Sequence, residues 1–224
     1  MITYALIVAG GSGSRMGSDI PKQFLLLKGR PVLMQTIDVF FQSGYGQNII
    51  VVLPEREISE WKRLCEQYQF AIPHSIVAGG NTRTESVING LNKVPAQAIV
   101  AVHDGVRPLV SKQLIRNCFE AAELNDSAIP CIAVTDSIRL VKEDQNEPVQ
   151  RENLRIIQTP QCFKAGMLKA AYENSKGKSF TDDATVFESA GHKIHLIEGE
   201  RFNIKITYWE DLEIAKSLLE SRKW

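Results

Sequence analysis

The sequence predicts an α/β fold: three layers, with a mostly parallel sheet between helices. Three observations lead there. Short apolar, β-branched runs alternate with segments whose apolar residues fall at helical spacing. The runs are nearly continuous in their apolar character, as in strands covered on both faces. The first of them empties into a glycine-rich loop, the place where an open parallel sheet presents backbone N–H groups to an anion. A sheet of this Rossmann-like kind fits within 224 residues. No repeat, low-complexity tract or Gly/Ser linker divides the chain, so residues 1–224 are expected to form one domain, with an arm at about 137–158.

In chain order, "YALIVAG" opens the sheet. "PVLMQTIDVFFQSG" reads as a helix with Leu33, Ile37, Phe40 and Phe41 on one face; Pro31 suits its first turn and Gly44 its stop. "NIIVVLP" (48–54), "SIVAGG" (75–80), "AIVAVHD" (98–104) and "AIPCIAVTD" (128–136) supply further strands. "TRTESVINGL" begins a helix with Thr82 and Glu85 at capping-box spacing. "FNIKIT" alternates like a strand, which would point Asn203, Lys205 and Thr207 to one side. The final "TYWEDLEIAKSLLES" repeats the capping spacing with Thr207 and Glu210, and Tyr208, Leu212, Ala215 and Leu219 form its stripe. One segment breaks the rhythm: "SIRLVKEDQNEPVQRENLRIIQ" (137–158) has two β-like arms around a polar turn. It reads either as a solvated surface hairpin or as an arm that reaches another subunit.

The composition narrows the function. Apolar residues make up 44% and charged residues 23%, as in an ordinary globular protein. Lys plus Arg and Asp plus Glu stand at 26 each, so no global field draws a polyanion; this argues against nucleic acid as a partner and leaves small anions open. Cys65, Cys118, Cys131 and Cys162 form no CxxC pair and lie at no metal-ligand spacing from a histidine, which suits reduced thiols in a cytoplasmic protein. The opening "MITYALIVAGG" has no basic stretch before it, and its apolar run is too short for a secretion signal or a membrane span.

The glycine loop carries the chemistry. It lacks GxxxxGK[ST], so it is not a P-loop. From Gly11 it reads Gly-Ser-Gly-Ser-Arg-Met-Gly, which places the third glycine of a dinucleotide fingerprint one residue late. Arg15 adds a fixed charge that the fingerprint lacks, and Pro21 pins the backbone before Lys22. Two cations on one loop imply more negative charge than a bridging pyrophosphate carries, and a nucleoside triphosphate fits. Such a clamp serves phosphoryl or nucleotidyl transfer. A dinucleotide-dependent oxidoreductase fails on the glycine spacing and on Arg15. A non-catalytic nucleotide-binding module is a further class; the resemblance given next argues against it, because such a module would have no need of the Lys22, Arg151 and Lys205 that it assigns to one site.

"AGGSGSRMGSDIPKQF" resembles the signature of the sugar-phosphate nucleotidyltransferases, in particular the cytidylyltransferases that act on polyol phosphates. "VAGGNTRTESVINGL", "VHDGVRP", "TPQCF", "FTDDATVFESAG" and "EGERFNIKIT" follow in the family's order, so the likeness runs from Ala5 to about Ala215. Two acceptors are open: methylerythritol 4-phosphate, used in non-mevalonate isoprenoid synthesis, and ribitol 5-phosphate. "TDDA", "RENLRIIQTPQ" and the glycine of "HDGVRP" look more like the methylerythritol enzymes.

The resemblance implies a sheet of the nucleotide-diphospho-sugar transferase type and a reaction in which the acceptor's phosphate displaces pyrophosphate from CTP. It assigns the triphosphate to Ala9, Gly10, Gly11, Ser12, Gly13 and Ser14, and transition-state charge to Arg15 and Lys22. It assigns cytidine to Gly79, Gly80, Asn81, Arg83 and Ser86; Asn81 stands where many relatives carry Asp. Asp104 ends a strand at the carboxyl edge of the sheet, where such folds bind ligands. A carboxylate among phosphates suits Mg²⁺ or acceptor hydroxyls, and Arg107 would pair with Asp104 or touch substrate. The acceptor side takes Ser137 (Thr in relatives), Thr159, Thr181, Lys205 and Arg151, the last from the hairpin of a second subunit, so a homodimer is implied. Asp182 and Asp183 read as helix caps rather than metal ligands. His103 reads as a packing or hydrogen-bonding residue, and His74, His192 and His195 receive no chemistry.

Overall fold

The structure, a computed structural model, describes residues 1–11, 20–45, 47–175 and 180–221. The chain passes through β1 (Thr3–Val8), a 3₁₀ turn (Lys22–Phe24), β2 (Leu26–Leu27), β3 (Arg30–Pro31), α1 (Val32–Gln42) and β4 (Asn48–Leu53). It continues through α2 (Ile58–Gln67), β5 (Ser75–Ala78), α3 (Arg83–Leu91), β6 (Ile99–Asp104), α4 (Lys112–Asn125) and β7 (Ser127–Ala133). Then come β8 (Ile138–Lys142), β9 (Gln145–Val149), β10 (Arg155–Ile157), β11 (Gln161–Lys164), α5 (Ala165–Asn174), α6 (Asp183–Ser189), β12 (Leu196–Glu198) and α7 (Trp209–Ser221).

β1 lies inside the main sheet, parallel to β4 on one side and β6 on the other, and β5 extends the parallel run beyond β4. Strand order therefore reverses at β1: the first two crossovers step outward to β4 and β5, and the third returns to place β6 on the other side of β1. That reversal opens a crevice at the carboxyl ends of β1 and β6. Beyond β6 the sheet turns mixed. β11 runs antiparallel to both β6 and β7, and β10 continues β11's line along β7, while β12 runs parallel to β7 on the sheet's far side. The peptide bond between Thr159 and Pro160, which separates β10 from β11, is cis.

The apolar alternation within the strands builds the two outer layers. Ala5 and Ile7 of β1 pack with α1, α2 and α4 through Leu33, Ile37, Trp61 and Phe119. Leu6 faces the opposite way, toward α3, α5 and α6 through Val87, Leu168 and Phe187. All of these are buried, and each Val, Leu, Ile and Phe among them contributes about 1.5–3 kcal/mol by the apolar surface it removes from water. A smaller cluster seats α7 on β2, with Leu27, Val106, Ile206 and Leu212 buried together. Gly90 lets α3 approach this closely, because a Cβ there would overlap the Leu6 side chain.

The strands expected at "YALIVAG", "NIIVVLP", "SIVAGG", "AIVAVHD" and "AIPCIAVTD" are present, and the 137–158 segment forms an antiparallel hairpin of β8 and β9. Other expectations need correction. Phe41 is 42% exposed, because α1 turns that position away from the sheet. α7 starts at Trp209, and its end is held by Asp211, which accepts from the N–H groups of Thr207 and Tyr208 at 2.8 Å each, rather than by Thr207 and Glu210. "FNIKIT" forms no ladder: Ile206 N–H donates to Val106 O in a loop, and Asn203 is buried while Lys205 is exposed. No helix of the described residues is long and apolar enough to cross a membrane.

Candidate active site

The crevice at β1 and β6 is where the site forms. Ala9 N–H donates to Val52 O and Gly105 N–H donates to Val8 O, both at 2.9 Å, which ties the loops after β1 and β6 to neighbouring strands. Gly105 is required there: a Cβ would lie 2.9 Å from the Ala9 Cβ and 3.3 Å from Val8 O. Residues from four loops face the resulting cleft, among them Ala9, Gly10, Gly11, Lys22, Gly80, Asn81, Arg83, Ser86, Asp104 and Lys205. The Lys22 side chain crosses to the glycine loop, since a Cβ on Gly11 would come 2.8 Å from its Cε. The 3₁₀ turn that begins at Lys22, directly after Pro21, fixes its backbone. Ser12, Gly13, Ser14 and Arg15 lie outside the described residues.

The floor of the cleft is electrostatic. Asp104 Oδ2 takes Arg107 Nε at 3.1 Å and Lys205 Nζ at 3.1 Å. Burial pushes the Asp104 carboxyl up, but Lys205, Arg107 and Arg83 more than reverse this and hold it well below the usual carboxylate range. The group is therefore ionised, and these two contacts engage Oδ2 alone. Arg107 is turned away from the cleft and also donates to Asn203 O at 2.7 Å, so it braces Asp104 from behind.

Behind Asp104 lies a closed polar network. Thr159 Oγ1 accepts the Asp104 N–H at 3.1 Å and meets His103 Nδ1 at 3.0 Å, while His103 Nε2 lies 3.2 Å from Arg107 O. A carbonyl can only accept, which assigns the proton to Nε2 and makes Thr159 the donor to Nδ1. Burial pushes the His103 pKa down to about 3, against the pull of Asp104, so the imidazole stays neutral. Asn203 Nδ2 closes the circuit by donating to Thr159 O at 2.8 Å. Thr159 is thus buried and turned inward, with its hydroxyl spent on the scaffold.

The β5–α3 loop forms the opposite wall. Thr82 caps α3 by accepting from Glu85 N–H at 3.1 Å, as the spacing predicts. Glu85 reaches back one residue further than a capping box requires and accepts from Asn81 N–H at 2.6 Å. Ser86 Oγ donates to Thr82 O at 2.9 Å and accepts from Gly80 N–H at 3.1 Å, so this hydroxyl shapes the loop. Gly79 lies against the same hydroxyl, with room for no Cβ. Arg83 leaves the loop to pair with Asp183 at 2.5 Å.

The remaining acceptor-side candidates do not line this cleft. Ser137 is exposed at the foot of the β8–β9 hairpin, and Thr181 is exposed before α6. Arg151 is exposed too; it donates to Thr135 O at 2.6 Å and lies 3.5 Å from Glu152. Asp182 caps α6, accepting from Thr185 N–H at 3.0 Å, whereas Asp183 instead sits fully buried between Arg83 and Tyr172. The Arg83–Asp183 pair escaped the sequence reading, because nothing in local spacing links residues a hundred positions apart. Among the described residues there is no group of three or more His, Cys, Asp or Glu able to hold a metal ion.

Comparisons with known proteins agree with this architecture. Residues 3–221 match the model of the family described as IspD, 2-C-methyl-D-erythritol 4-phosphate cytidylyltransferase. The enzyme of that name from Phocaeicola vulgatus is 47% identical over 98% of this chain and 100% of its own length. The one from Porphyromonas gingivalis is 49% identical over 97% of this chain and 98% of its own length. Among solved structures, 4-diphosphocytidyl-2C-methyl-D-erythritol synthase from Anaerococcus prevotii superposes with a TM-score of 0.83 at 30% identity, covering 98% of both chains. The Thermus thermophilus cytidylyltransferase superposes with a TM-score of 0.80 at 31% identity, covering 98% of this chain and all of its own. On near-complete coverage in sequence and in fold, the chain belongs to the 2-C-methyl-D-erythritol 4-phosphate cytidylyltransferase family of nucleotidyltransferases.

Proposed function

We propose that this cleft joins CTP to 2-C-methyl-D-erythritol 4-phosphate, releasing pyrophosphate, and that it does so by positioning and charge alone. The family names given to the relatives favour this acceptor over ribitol 5-phosphate. The observation that carries the assignment is the convergence of Lys22, Arg83, Asp104 and Lys205 on one crevice at the strand-order reversal. On this reading Ala9 to Ser14 take the triphosphate and Lys22 and Arg15 neutralise its charge, of which the structure describes Ala9, Gly10, Gly11 and Lys22 in the cleft. The nucleoside rests on Gly79, Gly80, Asn81 and Ser86. Lys205 faces the acceptor from the far side of Asp104, so the acceptor's phosphate oxygen can approach the α-phosphorus in line.

Asp104 suits Mg²⁺. It is ionised, it offers Oδ1, and Mg²⁺ is commonly held by one or two carboxylates together with substrate phosphates. When bound, the ion would neutralise charge on the phosphates. The residues of this chain supply the rest: backbone donors, the two loop cations and Lys205.

The β8–β9 hairpin supports a homodimer. A two-stranded ribbon alone is marginal in water, and this one places Ile138, Leu140 and Val149 on one face, opposite each other in register or two residues apart. A second copy covering that face would bring Arg151 and Ser137 toward the partner's cleft. The four free cysteines support a cytoplasmic setting.

Pyrophosphate release from CTP with methylerythritol 4-phosphate, run beside ribitol 5-phosphate and with and without Mg²⁺, tests the assignment. Turnover with the first acceptor in the presence of the metal is expected. Preference for ribitol 5-phosphate, or no release with either, overturns it.

A further inference from the structure

Arg83 lines the cleft with a side chain only 32% exposed, and its partner Asp183 is fully buried. Both oxygens of that carboxylate are engaged: Oδ2 by Arg83 at 2.5 Å and Oδ1 by the Tyr172 hydroxyl at 2.5 Å. Asp183 is the first residue of α6. That helix start is itself clamped to the sheet, because Gln161 of β11 donates to Asp182 and accepts from Ala184 N–H, both at 2.9 Å. Tyr172 comes from α5 and is buried. Arg83 thus begins at the wall made by the β5–α3 loop and ends in a socket made by α5, α6 and β11.

From this geometry we infer that Asp183, with Tyr172 behind it, is a positioning residue that sets the nucleotide-side wall of the cleft through Arg83. A cation whose partner is a dry, doubly bonded carboxylate has little freedom to follow a ligand. The start of α3, and with it the Gly80–Asn81 backbone, is held at a fixed distance from α6. Neither Asp183 nor Tyr172 touches the cleft, so each acts only by way of Arg83. The inference rests on the reading of this wall as the CTP site.

The test measures kcat and the KM for CTP in the intact protein and in Asp183→Asn, Arg83→Ala and the double variant, with thermal unfolding of each. Asp183→Asn keeps the shape and one acceptor while removing the charge. Its KM for CTP should rise about tenfold with kcat changed less than about threefold, and the double variant should be no worse than Arg83→Ala alone, the pattern of two residues acting as one unit. Tyr172→Phe, which keeps the ring in the core, should raise the same KM about threefold, and it serves where Asp183→Asn does not fold. An unchanged KM in the variant that folds, or losses that multiply in the double variant, overturns the inference. Failure of the intact protein to release pyrophosphate sinks the functional reading instead. Calorimetric CTP binding, with the same fold-changes expected, then still decides the role of Asp183.

Discussion

Acid should weaken this fold through a single imidazole. His103 is fully buried, its two ring nitrogens are bonded to Thr159 and Arg107, and burial lowers its pKa from 6.5 to about 3. The unfolded chain binds a proton on this residue below its ordinary pKa, while the folded chain refuses it until about 3. The stability from this group is therefore complete above that ordinary value and drains away as pH falls toward the folded one. Between about pH 7 and about pH 4.5 the unfolded state gains nearly one proton over roughly two decades, which costs ~3 kcal/mol at about 1.4 kcal/mol per decade. His103→Gln removes the titration and keeps a donor for the Arg107 carbonyl. Urea unfolding at both pH values, on both proteins, isolates the effect: the variant, less stable at neutral pH, should have lost most of its disadvantage at the lower one. Parallel losses in the two proteins would refute the assignment of a neutral, proton-refusing His103.

Other expectations follow from the site and its supports. Lys205→Met removes one of the two cations bonded to Asp104 and should cost about 3 kcal/mol of barrier, roughly a hundredfold in kcat/KM. Its melting temperature should fall only modestly, because the lysine side chain is 44% exposed and Arg107 still pairs with Asp104. Gly105→Ala forces a methyl against Ala9 and Leu33 and should lower stability by about 1–3 kcal/mol, seen as a lower urea midpoint. On the homodimer reading, Leu140→Asp on the exposed hairpin should sediment as a monomer where the wild-type protein sediments as a dimer, with loss of turnover and a lower melting temperature; a monomeric wild-type protein that turns over would remove the case for a shared site.

What the sequence disclosed, and what it hid, follows from how each residue does its work. β1, β4 and β6 were legible because strands covered on both sides have no polar face to confuse the pattern. Lys22 was legible as a charge pinned beside the glycine loop and Asp104 by its place at a strand end, whereas Lys205, alone, read as a solvated lysine and stood out only among the neighbouring motifs; all three line the cleft. α2 was not: its buried residues are Trp61 and Leu64, and the rest of "ISEWKRLCEQ" is largely polar. β11 (Gln161–Lys164) began within "TPQCF", only four residues long and inserted antiparallel between β6 and β7, where strand–helix alternation gives no hint. "FNIKIT" misled because alternation signals a strand only where a neighbour completes the ladder. Thr159 and Ser86 carry hydroxyls that could meet a ligand, but Ser86 is claimed by its own loop and Thr159 by the distant His103 ring and Asp104 N–H, a competition that sequence order does not reveal. Asp183 was expected as a cap, yet its carboxylate turned inward to a guanidinium from a distant helix.

The stretch that carries Lys205 adds no strand to the sheet. It is pegged through the Asn203 amide on the Thr159 carbonyl, the Arg107 guanidinium on Asn203 O, and the Ile206 amide on Val106. If Lys205 faces the acceptor as proposed, substituting Ile204 while keeping those three pegs would re-aim the lysine and leave the Lys22 and β5–α3 sides of the cleft undisturbed.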